Sequence, residues 1–156
     1  ALKKAAEAHP EIDVFAPVVT DQKGIMSPCI IHGVSCRRVK SLDELPERGV
    51  SAINSGLAVR RRVFADYRYD EGQFLDYVDH AFLHDITGHE RARIHILEDV
   101  VLKQAFSGSA RQSRAAAMQR YRVFKKDITF YCRKYGISPA LRWALLLRRR
   151  LRLLLG

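Results

Sequence analysis

The sequence predicts an α/β chain in which a mixed sheet with flanking helices is followed by C-terminal amphipathic helices. Three observations carry that prediction. β-Branched residues gather in short runs bounded by turn residues through the first half of the chain. Val78, Phe82 and Ile86 then recur every four residues, which makes one helical face apolar. From 112 to 135 there is neither proline nor glycine, and Met118, Tyr121, Phe124, Ile128 and Tyr131 keep an amphipathic helical spacing.

Taken in order, Leu2–Ala8 is rich in Ala and Lys and reads as a helix closed by His9-Pro10, because proline restricts the residue before it. Residues 12–19 read as a strand bounded by the turn-like 21–24, with Pro17 marking a strand end or an edge. One or two short strands are expected within 27–40, around Gly33. A polar connection at 43–49 leads to strand character over 50–59, interrupted by Asn54-Ser55-Gly56, where Gly56 permits close approach by a ligand. A helix from about Phe74 ends at a capping Gly88. Residues 94–97 and 100–102 read as two strands, and 107–109 as a turn. Gly136 caps the long helix, and Ser138-Pro139 opens another.

A chain of 156 residues, 47% hydrophobic and 28% charged, is long and apolar enough to bury a core, and global disorder is excluded. Cys29, Cys36 and Cys132 form no CxxC pair. Their odd number leaves a thiol unpaired in an oxidising compartment, so a reducing cytoplasm is expected. The net charge of +10 calls for an anionic partner: nucleic acid, acidic phospholipid or a phosphorylated substrate. After Asp99 the only acid is Asp127, while Lys and Arg crowd the stretch from Arg111 to Arg152. The excess charge therefore belongs to the C-terminal third.

In the tail, Trp143 and eight leucines alternate with Arg142, Arg148, Arg149, Arg150 and Arg152, a segment too short and too charged to span a bilayer. It matches an interfacial helix, with arginines reaching lipid phosphates and leucines and Trp143 entering the headgroup boundary. Packing on its own domain or on another subunit is the alternative use. An anionic membrane surface is the expected partner, with the chain peripheral on the inner, cytoplasmic face.

The order of a strand, Asn54-Ser55-Gly56, Arg60-Arg61-Arg62-Val63-Phe64 and then Phe74-Leu75-Asp76-Tyr77-Val78-Asp79 resembles the second half of inverting family 2 glycosyltransferases, especially the rhamnosyltransferase-like members. Upstream, Phe15-Ala16-Pro17-Val18-Val19 looks like the strand that follows the family's donor half. The likeness spans roughly residues 1–135 and rests on the ordered set. It implies a partial GT-A-like fold, with residues 1–108 as an acceptor-side half, residues 109–156 as basic amphipathic helices, and the donor-binding Rossmann-like half absent. In such enzymes a DxD motif in that half holds a divalent metal, Mg²⁺ or Mn²⁺, against the diphosphate of a nucleotide-sugar donor. No DxD occurs in this sequence. A chain of this kind is expected to be inactive alone and to act, within the intact enzyme, on a lipid-linked saccharide in surface-polysaccharide synthesis at the cell envelope.

Inverting transfer needs a base to take the acceptor hydroxyl's proton and cationic help for the departing diphosphate. The resemblance places Asp79 at the base position, makes Asp76 a secondary candidate that bonds the acceptor, and assigns acceptor binding to Asn54, Ser55, Gly56 and Tyr77. If the helix begins near Asp76, the two acids lie three apart on one side of it. Both also suit the positive end of the helix dipole with no catalytic part, and spacing does not separate the two uses. Departures from the family pattern are Ala81, where many relatives have a second acid, Asp85 near a common arginine, and Gln104 near a metal-reaching histidine. Arg60, Arg61 and Arg62 suit phosphate contact or a solvated face. His80, His84, His89 and His95 invite a metal test, but HxxxH without a glutamate is a weak motif. Two rival readings are a basic module binding RNA or DNA, against which no recognised base-reading motif appears, and a noncatalytic membrane-surface adaptor.

Overall fold

A computed structural model describes residues 1–88, 92–105 and 113–155. With 43% helix and 24% strand it is mixed α/β, as expected. The chain divides into two compact units, the first made of residues 1–69 and 79–106 and the second of 70–78 and 107–156. A boundary at 108 therefore omits residues 70–78, which belong with the C-terminal helices. The turn expected at 107–109 lies outside the described residues.

The first unit opens with α1 (Leu2–Ala8) and is built on β1 (Val14–Asp21), the centre of a mixed four-stranded sheet. Parallel β7 (Ile94–Lys103) runs along one edge of β1, while antiparallel β6 (Ala58–Val59) and β2 (Gly24–Ser27) share the other. Residues 14–19 are all buried, which explains their continuous apolar run. Pro17 is neither at a strand end nor in an edge strand. On one side it falls in the gap between the β6 and β2 pairings, and on the other it stands where the β7 register shifts. A residue with no N–H to donate is tolerated at such an irregularity. The two strands expected at 94–97 and 100–102 are one: Pro17 pairs with Leu97 and Val18 with Val101, so Glu98, Asp99 and Val100 bulge out of the ladder.

A second, antiparallel sheet has the order β4 (Ser35–Arg38), β3 (Cys29–His32), β5 (Val50–Ser51), with Gly33 at φ 57° in the hairpin turn. Strand character over 50–59 thus survives only at its two ends. Both oxygens of Asp21 accept from Arg38 at 2.7 Å. That bond and the backbone N–H of Lys23 hold the Asp21 carboxyl down at about 2. Cys29 and Cys36 are joined as a disulfide across the hairpin, and Cys132 is free and buried.

The helix α2 (Val78–Thr87) covers the four-stranded sheet, and Phe82, Leu83 and Ile86 meet Val14, Ala16 and Ala52 in the core. Burying a side chain such as Phe82 contributes roughly 2–3 kcal/mol. The rings of Phe64, Tyr67 and Tyr69 surround Phe82 at centroid distances of 5.9, 5.2 and 5.3 Å.

Two arginines of the 60–62 run are structural. Arg60 donates to the carbonyl oxygens of Ile12 and Ala6 at 2.6 Å and of His9 at 3.0 Å. Arg62 donates to Asp13 at 2.6 Å and to the Pro10 carbonyl at 3.0 Å. They hold the α1–β1 connection by donating to its backbone carbonyls. Arg61 is exposed.

The second unit contains α3 (Arg114–Lys134) and α4 (Pro139–Leu155). Ser113 caps α3 by accepting from the Ala116 N–H at 3.2 Å. Gly136, at φ 63°, ends it, with the Ile137 N–H bonded to the Cys132 carbonyl at 2.8 Å. Phe124, Ile128, Tyr131, Cys132 and Leu146 are buried. Asp127, with no exposed surface at all, binds the 70–78 segment to α3 by accepting from three successive backbone N–H groups: Phe74 at 3.0 Å, Leu75 at 2.8 Å and Asp76 at 2.8 Å. Arg120 pairs with Asp76, and Lys134 with Asp70.

Candidate functional site

In the first unit the candidate centre is the start of α2. The helix begins at Val78, directly after Tyr77, whose φ of 63° is outside the helical region. Asp79 is therefore in its first turn, where the backbone N–H groups favour a negative charge. Its Oδ1 accepts from the backbone N–H of His80 at 2.9 Å, and among the described residues no lysine or arginine pairs with it. The Tyr69 phenol is pushed up by burial and then by the Asp79 charge, so it keeps its proton. Burial lowers His80, against the opposing pull of Asp79, and favours the neutral imidazole.

Ser51 Oγ lies 2.6 Å from His80 Nδ1. This is not a nucleophilic triad. Ser51 is buried, and Asp79 contacts the His80 peptide rather than its ring. What remains is a half-buried carboxylate without a counter-cation, able to accept a proton.

Asp76 is differently placed. It precedes α2, so the two acids do not share a helical side, and it belongs to the second unit while Asp79 belongs to the first. Both its oxygens are engaged by Arg120, with Nη2 2.7 Å from Oδ1. That bidentate pair leaves Asp76 ill suited to act as a base. Tyr77, expected to bind the acceptor, also belongs to the second unit. Its ring packs on Tyr131 at 4.9 Å and Phe124 at 6.4 Å, and burial, then the Asp76 charge, pushes its phenol up to about 12.

Asn54, Ser55 and Gly56 form a turn in the first unit, closed by the Leu57 N–H on the Asn54 carbonyl at 3.2 Å. Asn54 is exposed and Ser55 half-buried. Gly56 has φ 71°, and a Cβ there would lie 2.6 Å from Leu102 Cδ1 and 2.9 Å from Pro17 Cγ. The close approach at Gly56 within the fold is to Pro17 of β1 and Leu102 of β7. A cavity of about 520 Å³ in the same unit is lined by Arg62, Asp66, Tyr67, Asp85 and Ile86 at the other end of α2. Asp79 does not line it.

The histidines do not converge. His80 meets Ser51, His84 Nδ1 is 3.8 Å from Asp85, and His95 stacks on His9 at 4.8 Å. His89 is outside the described residues. Among the described residues no three His, Cys, Asp or Glu side chains are grouped to hold a metal ion. Nor, among them, is any helix long and apolar enough to cross a membrane.

On α4, Trp143, Leu147 and Leu151 recur every four residues and are 62%, 58% and 45% exposed. At 100° per residue this apolar stripe is flanked by the exposed Arg148 and Arg150, while Arg152, also exposed, is turned about 140° from its centre. Arg142 lies 5.9 Å from the Trp143 ring centroid. Arg149 sits 3.9 Å from the Phe124 ring centroid, and burial lowers its pKa. Arg148 and Arg150 thus stand beside the exposed stripe, and Arg149 packs against α3.

Sequence reasoning missed the part played by Asp127. The signal was a lone acid in a basic helix, placed three residues from Phe124 and four from Tyr131, on the side that is buried. No protein-family model, curated protein or solved structure matches this chain.

Proposed function

We propose that this chain is the acceptor-side half of an inverting glycosyltransferase that works at an anionic membrane surface. It would help move a sugar from a nucleotide-sugar donor to a lipid-linked saccharide. The observation that carries the reading is the contrast between two carboxylates. Asp79, at the position where the resemblance puts the base, lacks a cationic partner among the described residues, whereas Asp76 is neutralised by Arg120.

In this reading Asp79 takes the proton of the acceptor hydroxyl as its oxygen bonds to the anomeric carbon and the nucleoside diphosphate departs from the opposite face. Tyr69, which keeps its proton, offers a hydrogen-bond donor beside it. Tyr67, Asp66 and Asp85, around the cavity at the other end of α2, would offer an aromatic wall and hydrogen-bond acceptors to a part of the saccharide remote from the reacting hydroxyl. A Mg²⁺ or Mn²⁺ ion held by a donor half would stabilise the leaving diphosphate, and this chain is given no part in holding it. The exposed stripe of α4 with its flanking arginines supports a peripheral position on the inner face of the membrane. In a reducing cytoplasm the β3–β4 ladder and the Asp21–Arg38 pair would hold the hairpin without the disulfide.

The test is transfer from a panel of nucleotide sugars to lipid-linked acceptors by the native full-length protein and its Asp79→Asn variant. Loss of a general base lowers turnover by about 10²–10⁴-fold. Near-normal turnover in the variant removes Asp79 from the mechanism. Absence of turnover with every donor, in a folded protein that still binds anionic vesicles, replaces the enzyme by a noncatalytic adaptor.

A further inference from the structure

The second unit carries a groove of about 540 Å³ along α3, lined by Arg122, Lys125, Lys126, Arg133, Phe130 and Gly72. The four cations occupy one face of the helix and extend over about 16 Å of its axis. All four are exposed, and among the described residues none has a carboxylate partner. Other cations of the same helix do, since Arg120 is held by Asp76 and Lys134 by Asp70. The floor of the groove is fixed, because a Cβ at Gly72 would fall 2.2 Å from Phe130 Cε2, so the ring lies directly against the 70–78 backbone.

We infer that this groove binds the phosphates of anionic phospholipid headgroups. Four like charges on neighbouring turns repel one another, and a row of anions relieves that repulsion. Their extent fits several phosphates in a row better than one small ion. Nucleic acid would meet the charges equally well, but not the rest of the unit. Phe74 is 76% exposed, and Trp143, Leu147 and Leu151 are also exposed. Such side chains gain from a hydrocarbon boundary, and leucines find no counterpart in a phosphodiester backbone. The inference rests on the membrane position proposed above and adds a second contact, independent of α4.

The experiment is co-sedimentation of the 156-residue chain with phosphatidylcholine vesicles with and without phosphatidylglycerol. Three variants are compared with wild type, each checked for helix content by circular dichroism. The groove variant carries Arg122→Gln, Lys125→Gln, Lys126→Gln and Arg133→Gln. A charge control carries Lys4→Gln, Lys23→Gln, Lys40→Gln and Arg61→Gln, all exposed in the first unit. An apolar variant carries Trp143→Ala, Leu147→Ala and Leu151→Ala.

The groove variant is expected to lose about six-hundredfold in affinity for anionic vesicles, at about fivefold per cation, while the control changes by about fivefold or less. Lys126→Gln alone, which a helix surface tolerates, should cost about fivefold. Equal losses in groove and control variants overturn the inference and leave the membrane reading standing. So does wild-type affinity in the groove variant beside loss in the apolar variant. If neither vesicle retains the wild-type chain, both fail, and retention on single-stranded RNA that the groove variant loses assigns the groove to nucleic acid.

Discussion

The two units use charge in opposite ways. The first has fourteen Lys and Arg against thirteen acids, and the second thirteen against four, so the second holds +9 of the chain's +10. In the first, Arg38, Arg60 and Arg62 are engaged by carboxylates and backbone carbonyls that organise the sheet and its entry. In the second, Asp70, Asp76 and Asp127 are engaged internally, by Lys134, by Arg120 and by backbone N–H groups, which leaves a surplus of outward cations. The difference teaches where to look for each activity. Asp79 is a half-buried carboxylate of the balanced unit with no Lys or Arg partner among the described residues, and anion binding belongs to the unbalanced one.

The largest expected effect falls on the second unit. Asp127→Ala leaves three backbone donors without their acceptor and should cost about 3–5 kcal/mol, read as lost hydrogen-exchange protection at 74–76 and in α3. The first unit's amides should keep theirs. If 74–76 stay protected, Asp127 does not organise that segment.

A smaller effect in the same unit is alkaline. Unfolded, the Tyr77 phenol titrates near its ordinary value of 10.0, and folded it holds its proton to about 12. Between those values the unfolded chain binds fewer protons. Stability is therefore fully present below pH 10 and declines by roughly 2–3 kcal/mol as pH rises toward 12. Denaturant melts across that window measure the slope, and Tyr77→Phe should remove it; an unchanged slope would show that other groups cause it.

The smallest effect sharpens the account of the first unit. Gly56→Ala puts a Cβ against Leu102 and Pro17 at a positive φ and should cost about 2 kcal/mol by thermal denaturation. A neutral result would show that Leu102 and Pro17 yield to a Cβ there.

Local chemistry made much of the fold legible. α1, Gly136 and Ser138-Pro139 follow from signals within a few residues of each element. The start of α2 was not legible. The pattern extends back to Phe74, but Asp127, more than fifty residues away in sequence, takes the N–H groups of 74–76 and keeps them out of the helix. Likewise the Asp76–Arg120 pair joins residues 44 apart, so no local spacing separates Asp76 from Asp79. Asp79 was marked by motif order alone, and the Gly56 approach to Leu102 depends on the pairing of β7 with β1.

The division of labour between the units is tested most directly by hydrogen exchange of the chain with and without phosphatidylglycerol vesicles. Added protection should be confined to residues 70–78 and 113–155, leaving the sheets of the first unit and α2 from Asp79 onward unchanged. Protection appearing instead in the first unit, or in neither, would contradict the assignment of the membrane surface to the basic unit.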